Sequence, residues 1–306
     1  MVSANILVGS LYFSTSAVCL PMQIRIAYII LSHAQYRNSC SYQIMLHIGL
    51  ADCIQLLIHL YSGIGTLCGF ETTTLFEIIS GAVLNSSWII MNLLILVLAL
   101  NRLEVVAEFK VTRLVHPNKL YNVLSGMCWC VGLLFCGSYL TPYAHMEYDD
   151  VGFFWSLVGD PEMVAVMTKI EICCTVSCLI TTFCIYVVIC AVLLAKKSIF
   201  LQNTQNLPKH ELRVLAQAFT TFGYTSVLTV CWHWGRHFLP DSWWTEIVIN
   251  ILWIFDNGAL NPLLYIIVNR AIREKFFSST WCKPEMKVFY LVAGRKIVAA
   301  ESLYRR

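Results

Sequence analysis

Charge is scarce in this chain. Asp, Glu, Lys and Arg make up 13% of its 306 residues, while 58% are hydrophobic; soluble domains carry roughly twice that charged fraction. A water-soluble fold of this length could not hide so much apolar surface, so that class is excluded. The net charge of +3 is too small to argue for nucleic acid as a partner. Residues 1–24 have no basic n-region, so a cleaved secretory signal is not expected, and the first apolar run reads as an uncleaved anchor. Internal repeats and low-complexity tracts are absent. The 14 cysteines make no disulfide framework, because most sit in apolar runs where Cys packs as a small hydrophobe. His210-Glu211 lacks the second His of a zinc protease. No pair of intramembrane carboxylates and no Ser–His arrangement is set for catalysis. The chain therefore reads as a non-enzyme with no cofactor.

Long apolar runs are what it has instead. A bilayer-crossing helix needs roughly 20 mostly apolar residues, and seven runs supply them. They are Ile6 to Leu31, interrupted by Gln23 and Arg25; Tyr42 to Gly65; Phe76 to Val106; Tyr121 to Tyr143; Met163 to Leu194; Leu212 to Gly235; and Trp243 to Val268. This predicts an all-α membrane protein, a seven-transmembrane helix bundle. A short amphipathic eighth helix follows, with Ile272, Phe276 and Phe277 opposed to Arg270, Arg273 and Lys275, as expected of a helix lying along the inner leaflet. The organisation is a membrane domain over 1–280 and a cytoplasmic tail over 281–306. Cys282, just past the eighth helix, reads either as a palmitoylation site or as a bland exposed thiol.

Basic residues set the orientation. Of 21 Lys and Arg, all but Arg25, Lys169 and Arg236 fall on one side by these spans. The opposite connections carry Glu71, Glu147, Asp149, Asp150, Asp160 and Glu162. With an odd number of spans, this puts the N-terminus outside and the tail in the cytoplasm.

A charge in hydrocarbon costs at least about 2.5 kcal/mol on insertion scales, so each one needs a reason. Asp52 lies mid-span. It is either partnered by polar groups of another span or an isolated carboxylate in a wet gap. Arg102 ends the third span, as a snorkelling anchor or as a functional group at the cytoplasmic face. Asn85, Trp88 and Asn92 share one face of that span, suited either to a small-molecule pocket or to interhelical hydrogen bonds. Trp232, followed by His233 in the sixth span, belongs by composition with an interfacial belt of Trp234, Trp243 and Trp244. Pro262, after Asn261, frees a backbone carbonyl near the inner end of the seventh span, and Tyr265 follows.

Several stretches carry a resemblance. Asn261-Pro262-Leu263-Leu264-Tyr265 resembles the inner end of the seventh helix of rhodopsin-like receptors. Asn101-Arg102-Leu103 resembles their Asp-Arg-Tyr element with Asn in place of the acid. Cys231-Trp232-His233-Trp234 resembles their Cys-Trp-x-Pro element with the proline replaced. Together with Asn38 to Met45, Gly49 to Asp52 and Leu98 to Arg102, they make the chain similar to nematode serpentine chemoreceptors, classes T and X above all. The resemblance implies a G-protein-coupled receptor in the cell membrane, in sensory neurons or their cilia. Its partners would be a small-molecule chemical cue, a heterotrimeric G protein and the bilayer. It implies that Asn85, Trp88, Trp232 and His233 bind the cue. Asp52, Arg102, Asn257, Asn261, Pro262 and Tyr265 would form the activation switch, with Asp52 partnered by Asn257 and Asn261, four residues apart on one helix face, and also a candidate sodium ligand. Met91 stands where a hydroxyl usually completes that sodium site. Leu84 stands where amine receptors carry Asp, which argues against a biogenic-amine cue. No Lys in the seventh span excludes a retinal Schiff base. Loop 144–160 has no Cys, so Cys68 lacks its usual disulfide partner. The other class of function is a seven-span ligand-gated channel or transporter, though transporters tend to show internal symmetry that is missing here.

Overall fold

The structure is a computed structural model that describes residues 2–69, 74–107, 117–203 and 209–278. Its membrane helices are α1 (Val2–Ser32), α3 (Cys40–Cys68), α4 (Thr74–Ala107), α5 (Pro117–Tyr139), α6 (Pro161–Asn203), α7 (Lys209–Trp234) and a last span in two parts. That span is α8 (Trp243–Phe255) joined to α9 (Asn261–Val268) through a π-helical turn, Asp256–Leu260. The one-turn α2 (Ala34–Arg37) links α1 to α3, and α10 (Arg270–Phe277) closes the described chain. Six spans are long and apolar enough to cross a membrane. The remaining one, α7, is 26 residues long but less apolar, because Thr221, Thr225 and Thr229 are buried on its inward face.

Helix α4 is the central post. More of it is buried than of any other span, and it packs on α3, α5, α6 and α7. By contrast, α5 turns Leu133 and Leu134 outward, as a lipid-facing helix should. Helices α1 and α3 approach closely because small residues face each other. A Cβ at Gly63 would lie 2.6 Å from the Phe13 backbone nitrogen, and one at Gly9 would lie 2.9 Å from that of Leu67.

One element was not expected. Residues 144–160 form an antiparallel hairpin, β1 (Ala144–Asp149) and β2 (Phe154–Gly159), with Ala144 opposite Gly159 and Asp149 opposite Phe154. Asp149 Oδ1 accepts from the amides of Val151 (2.9 Å) and Gly152 (3.0 Å), which tightens the turn. Phe153 has φ 62°, rare for a bulky residue. It is buried, and its carbonyl accepts from the Tyr12 hydroxyl at 3.0 Å.

The hairpin is tied down without a disulfide; every described cysteine, Cys68 included, is free. Trp155 donates to Ser62 Oγ (3.2 Å), the Tyr148 amide donates to Glu77 (2.7 Å), and Tyr148 and Thr66 share a hydrogen bond of 2.9 Å. Burial pushes the Tyr148 phenol up to about 12, so it stays neutral in that bond. Gly81 of α4 lets Met146 lie directly against the helix, where any side chain would collide.

At the opposite end, Asn269 makes the bend between α9 and α10. Its Oδ1 accepts from the Ile272 amide (3.2 Å) as an N-cap, and its Nδ2 donates to the Tyr42 hydroxyl (2.6 Å). Arg273 covers the last carbonyls of α9, Ile266 (3.2 Å) and Ile267 (3.1 Å). Arg25 donates to the carbonyls of Lys275 and Ser278, both at 3.1 Å. Arg25 therefore belongs to the same end as α10, and one exception to the basic-side pattern disappears. Ile272 of α10 packs inward while Phe277 is exposed, in keeping with the amphipathic helix expected there. Cys282 and the 281–306 tail lie outside the described residues.

Candidate functional site

Beneath the hairpin an outer chamber of about 690 Å³ opens between α4, α6, α7 and α8. Asn85, Trp232 and His233 line it, together with Met146, Trp155, Glu171 and Glu246. A smaller recess shares Asn85, Met146, Trp155 and Trp232 with the chamber and adds Gln55, His59, Trp88, Asn250 and Trp253. All four residues singled out for binding thus line one or the other of two adjoining cavities that share four residues. Asn92 does not join them; its side chain donates back to the Trp88 carbonyl of its own helix at 3.0 Å.

The recess is built on an aromatic stack that the sequence reading did not find. Trp253 of α8 lies between Trp88 (ring centroids 5.2 Å apart) and Trp232 (5.6 Å), and His233 approaches Trp88 at 6.0 Å. The missing proline after Trp232 leaves α7 unbroken through Trp234. Outside the stack, Asn85 Nδ2 (3.0 Å) and the Tyr139 hydroxyl (2.8 Å) both donate to Glu171 Oε2, joining α4, α5 and α6.

Below the recess lies a polar core. Asp52 is fully buried. Its Oδ2 accepts from Gln23 Nε2 at 2.9 Å and from Asn261 Nδ2 at 3.2 Å. Asn257 is not a direct partner of the carboxylate. Its backbone carbonyl accepts from Gln23 (2.8 Å), and its Nδ2 donates to Gln55 Oε1 (3.0 Å). The π-helical turn explains the difference, because residues four apart across it no longer stack as they do on an α-helix. Gln55 lines the recess and bonds Asn257, so one side chain connects cavity and core.

A second buried carboxylate, Asp256, sits beside this core and accepts from Thr225 at 3.1 Å. Thr221 ties α7 to Asn261 at 3.3 Å. Two oxygens here, Asp52 Oδ1 and Asn257 Oδ1, have no hydrogen-bond donor among the described residues. Hard oxygen ligands of this kind fit a small cation. Buried Met91 brings none.

The end of the bundle away from the hairpin gathers Arg102, Tyr186, Gln217, Thr221, Asn261 and Tyr265 around a small gap between α4, α6, α7 and α9. Asn101, in place of an acid, faces away from this group and accepts from Ser41 Oγ at 2.6 Å. Glu104 accepts from the Tyr121 hydroxyl at 2.7 Å. Trp129 donates to His47 Nδ1 at 3.3 Å, packing α5 on α3. Pro262 is buried at the start of α9, directly after the π turn, where its missing N–H is least disruptive.

Comparison with known proteins agrees with this architecture. The crystal structure of squid rhodopsin superposes with a TM-score of 0.75 over 90% of this chain and 85% of that one, at 9% sequence identity. At that identity the likeness speaks for the fold, a rhodopsin-like seven-helix bundle. No curated protein matches in sequence. The family model described as "Serpentine type 7TM GPCR chemoreceptor Srt" matches residues 2–288. This multi-pass membrane protein, a receptor and not an enzyme, belongs to the Srt family of serpentine seven-transmembrane chemoreceptors.

Proposed function

We propose that the chain detects an external small-molecule cue in the cavity under the hairpin and signals through a heterotrimeric G protein. The observation that carries this is Gln55. It reaches the recess with one end and holds Asn257 at the π turn with the other, and the turn leads straight into Asn261, Pro262 and Tyr265. A ligand that prefers one arrangement of the recess shifts the population of helix packings. The shift passes through the Asp52–Asn261 contact to the gap around Arg102, Tyr186 and Tyr265. A sodium ion held by Asp52 Oδ1 and Asn257 Oδ1 would add charge compensation in the resting packing.

The orientation follows the same logic. The N-terminus and hairpin face outside, and α10 lies on the cytoplasmic leaflet with Arg25 against its end. The receptor would act in the cell membrane, the sensory cilium included. Arg102→Ala tests the coupling. Surface expression stays near wild type while G-protein activation falls at least about tenfold, as expected when a charge-assisted contact is lost. Normal signalling by this variant would reduce Arg102 to an interfacial anchor. Ligand-gated current without any G protein would favour the channel reading.

A further inference from the structure

The cavity carries its own statement about ligand chemistry, which rests on the receptor reading above. Three carboxylates line the outer chamber, Glu171, Asp241 and Glu246, and no Lys or Arg does among the residues whose side chains are described, which leave out Arg236. Glu171 is nine-tenths buried. Both its donors, Asn85 and Tyr139, use the same oxygen, Oε2, which leaves Oε1 to an occupant. Trp155 and Trp232 wall the same space, and aromatic faces beside a carboxylate favour an organic cation.

The adjoining recess points to a second group on the same molecule. Gln55, His59 and Trp88 are each more than nine-tenths buried there. Gln55 Nε2, His59 Nε2 and Trp88 Nε1 have no hydrogen-bond partner among the described residues. Amide and indole N–H groups only donate, and a buried donor left unmade is unfavourable. An acceptor atom on the ligand satisfies them. Asn85 lines both chamber and recess and bonds Glu171, so the two recognition points are neighbours.

We propose that the cue is a small organic ammonium compound bearing a hydrogen-bond acceptor such as a carbonyl, its cationic end on Glu171 and its acceptor in the Gln55–Trp88 recess. The charge is supplied from α6, across the cavity from Leu84 on α4, so the missing acid at Leu84 does not exclude a cation. An acceptor bonded to Gln55 also acts on the side chain that holds Asn257.

The test uses the purified full-length receptor in detergent and reads thermal stabilisation, which needs no G protein. The probes are aliphatic, aryl and quaternary amines with and without a carbonyl, each beside its neutral N-acyl or carboxylic acid counterpart. Cationic members are expected to stabilise and their counterparts are not. Glu171→Gln, which keeps an acceptor for Asn85 and Tyr139, should weaken the amines about 10-fold to 100-fold, the range for a charged hydrogen bond. Trp88→Phe keeps the ring and should weaken only amines that carry the carbonyl. The assignment is overturned if neutral or acidic probes stabilise equally, if Glu171→Gln leaves the amines unaffected, or if no amine binds at millimolar concentration. Signalling driven by a neutral cue would overturn it while leaving the receptor reading intact. Amine binding without signalling would do the reverse.

Discussion

Replacing Asp52 separates the structural from the switching role of the polar core. In Asp52→Leu, Gln23 Nε2 keeps only the Asn257 carbonyl at 2.8 Å, and Asn261 Nδ2 loses its acceptor at 3.2 Å. A buried donor left unsatisfied costs about 1–3 kcal/mol, so two come to about 2–6 kcal/mol. Mutant cycles in membrane bundles average nearer 0.6 kcal/mol per contact, because unfolded helices also find partners; that sets a floor of about 1 kcal/mol. Removing a desolvated carboxylate returns some of the loss. Against a total stability of about 5–15 kcal/mol, the Leu variant should reach the surface in reduced amount and lose its fold at lower temperature. Asp52→Asn retains an acceptor for both amides and removes only the charge, so it should be expressed normally with an altered balance of basal and stimulated signalling. Surface labelling, heat inactivation in detergent and basal signalling, measured on both variants, give the answer. A Leu variant with wild-type surface level and heat resistance would mean that the Gln23 and Asn261 contacts hold nothing together.

Cys68→Ser should leave surface level unchanged, and so should mild reductant, because hydrogen bonds and not a disulfide hold the hairpin; a large loss of receptor in surface labelling would contradict this. Gly258→Val should destabilise the bundle by about 1–3 kcal/mol, the usual range for overpacking. A Cβ there would collide with Cys19 and lie 2.9 Å from Leu56 Cδ2; unchanged heat resistance would show that α1 can shift freely. A tag at the C-terminus that is modified only outside the cell should stay unmodified, and its modification would invert the orientation.

Much of the bundle was legible because membrane helices announce themselves by length and apolarity, and Asn261-Pro262 marked the inner end of the last span. The partners of Asp52 were only half legible. Asn261 was found, but the reading of Asn257 assumed α-helical phase across residues that form a π turn. Gln23 showed only as an interruption of the first run and Gln55 not at all, since a lone amide in an apolar run reads the same whether it faces lipid or a carboxylate. The hairpin was missed despite a period-two pattern, His145, Glu147 and Asp149 alternating with Ala144, Met146 and Tyr148, because a connection between spans was assumed to lack structure. Trp253 looked like one more apolar residue of its span; only packing reveals it as the centre of the aromatic stack. Asp256 was visible as an acid within the seventh span, but its nearness to Asp52 is a property of the fold.

The π turn at Asp256–Leu260 has a consequence for how the sequence tolerates length. Such a turn holds one residue more than an α-helix would use, so α8 and α9 are phased separately along a single span. Deleting one residue between Asn257 and Leu260 would restore a continuous α-helix and leave Asn261 and Tyr265 close to their present faces, because the turn absorbs its extra residue locally. The same deletion within α8 would swing them by about 100°, the angle per residue of an α-helix, away from the faces that meet Asp52 and Arg102, though neither had been altered. In this receptor the last span can therefore shed a residue at the π turn and keep its Asn-Pro motif in place, whereas the same change one or two turns earlier would present an intact motif to different neighbours.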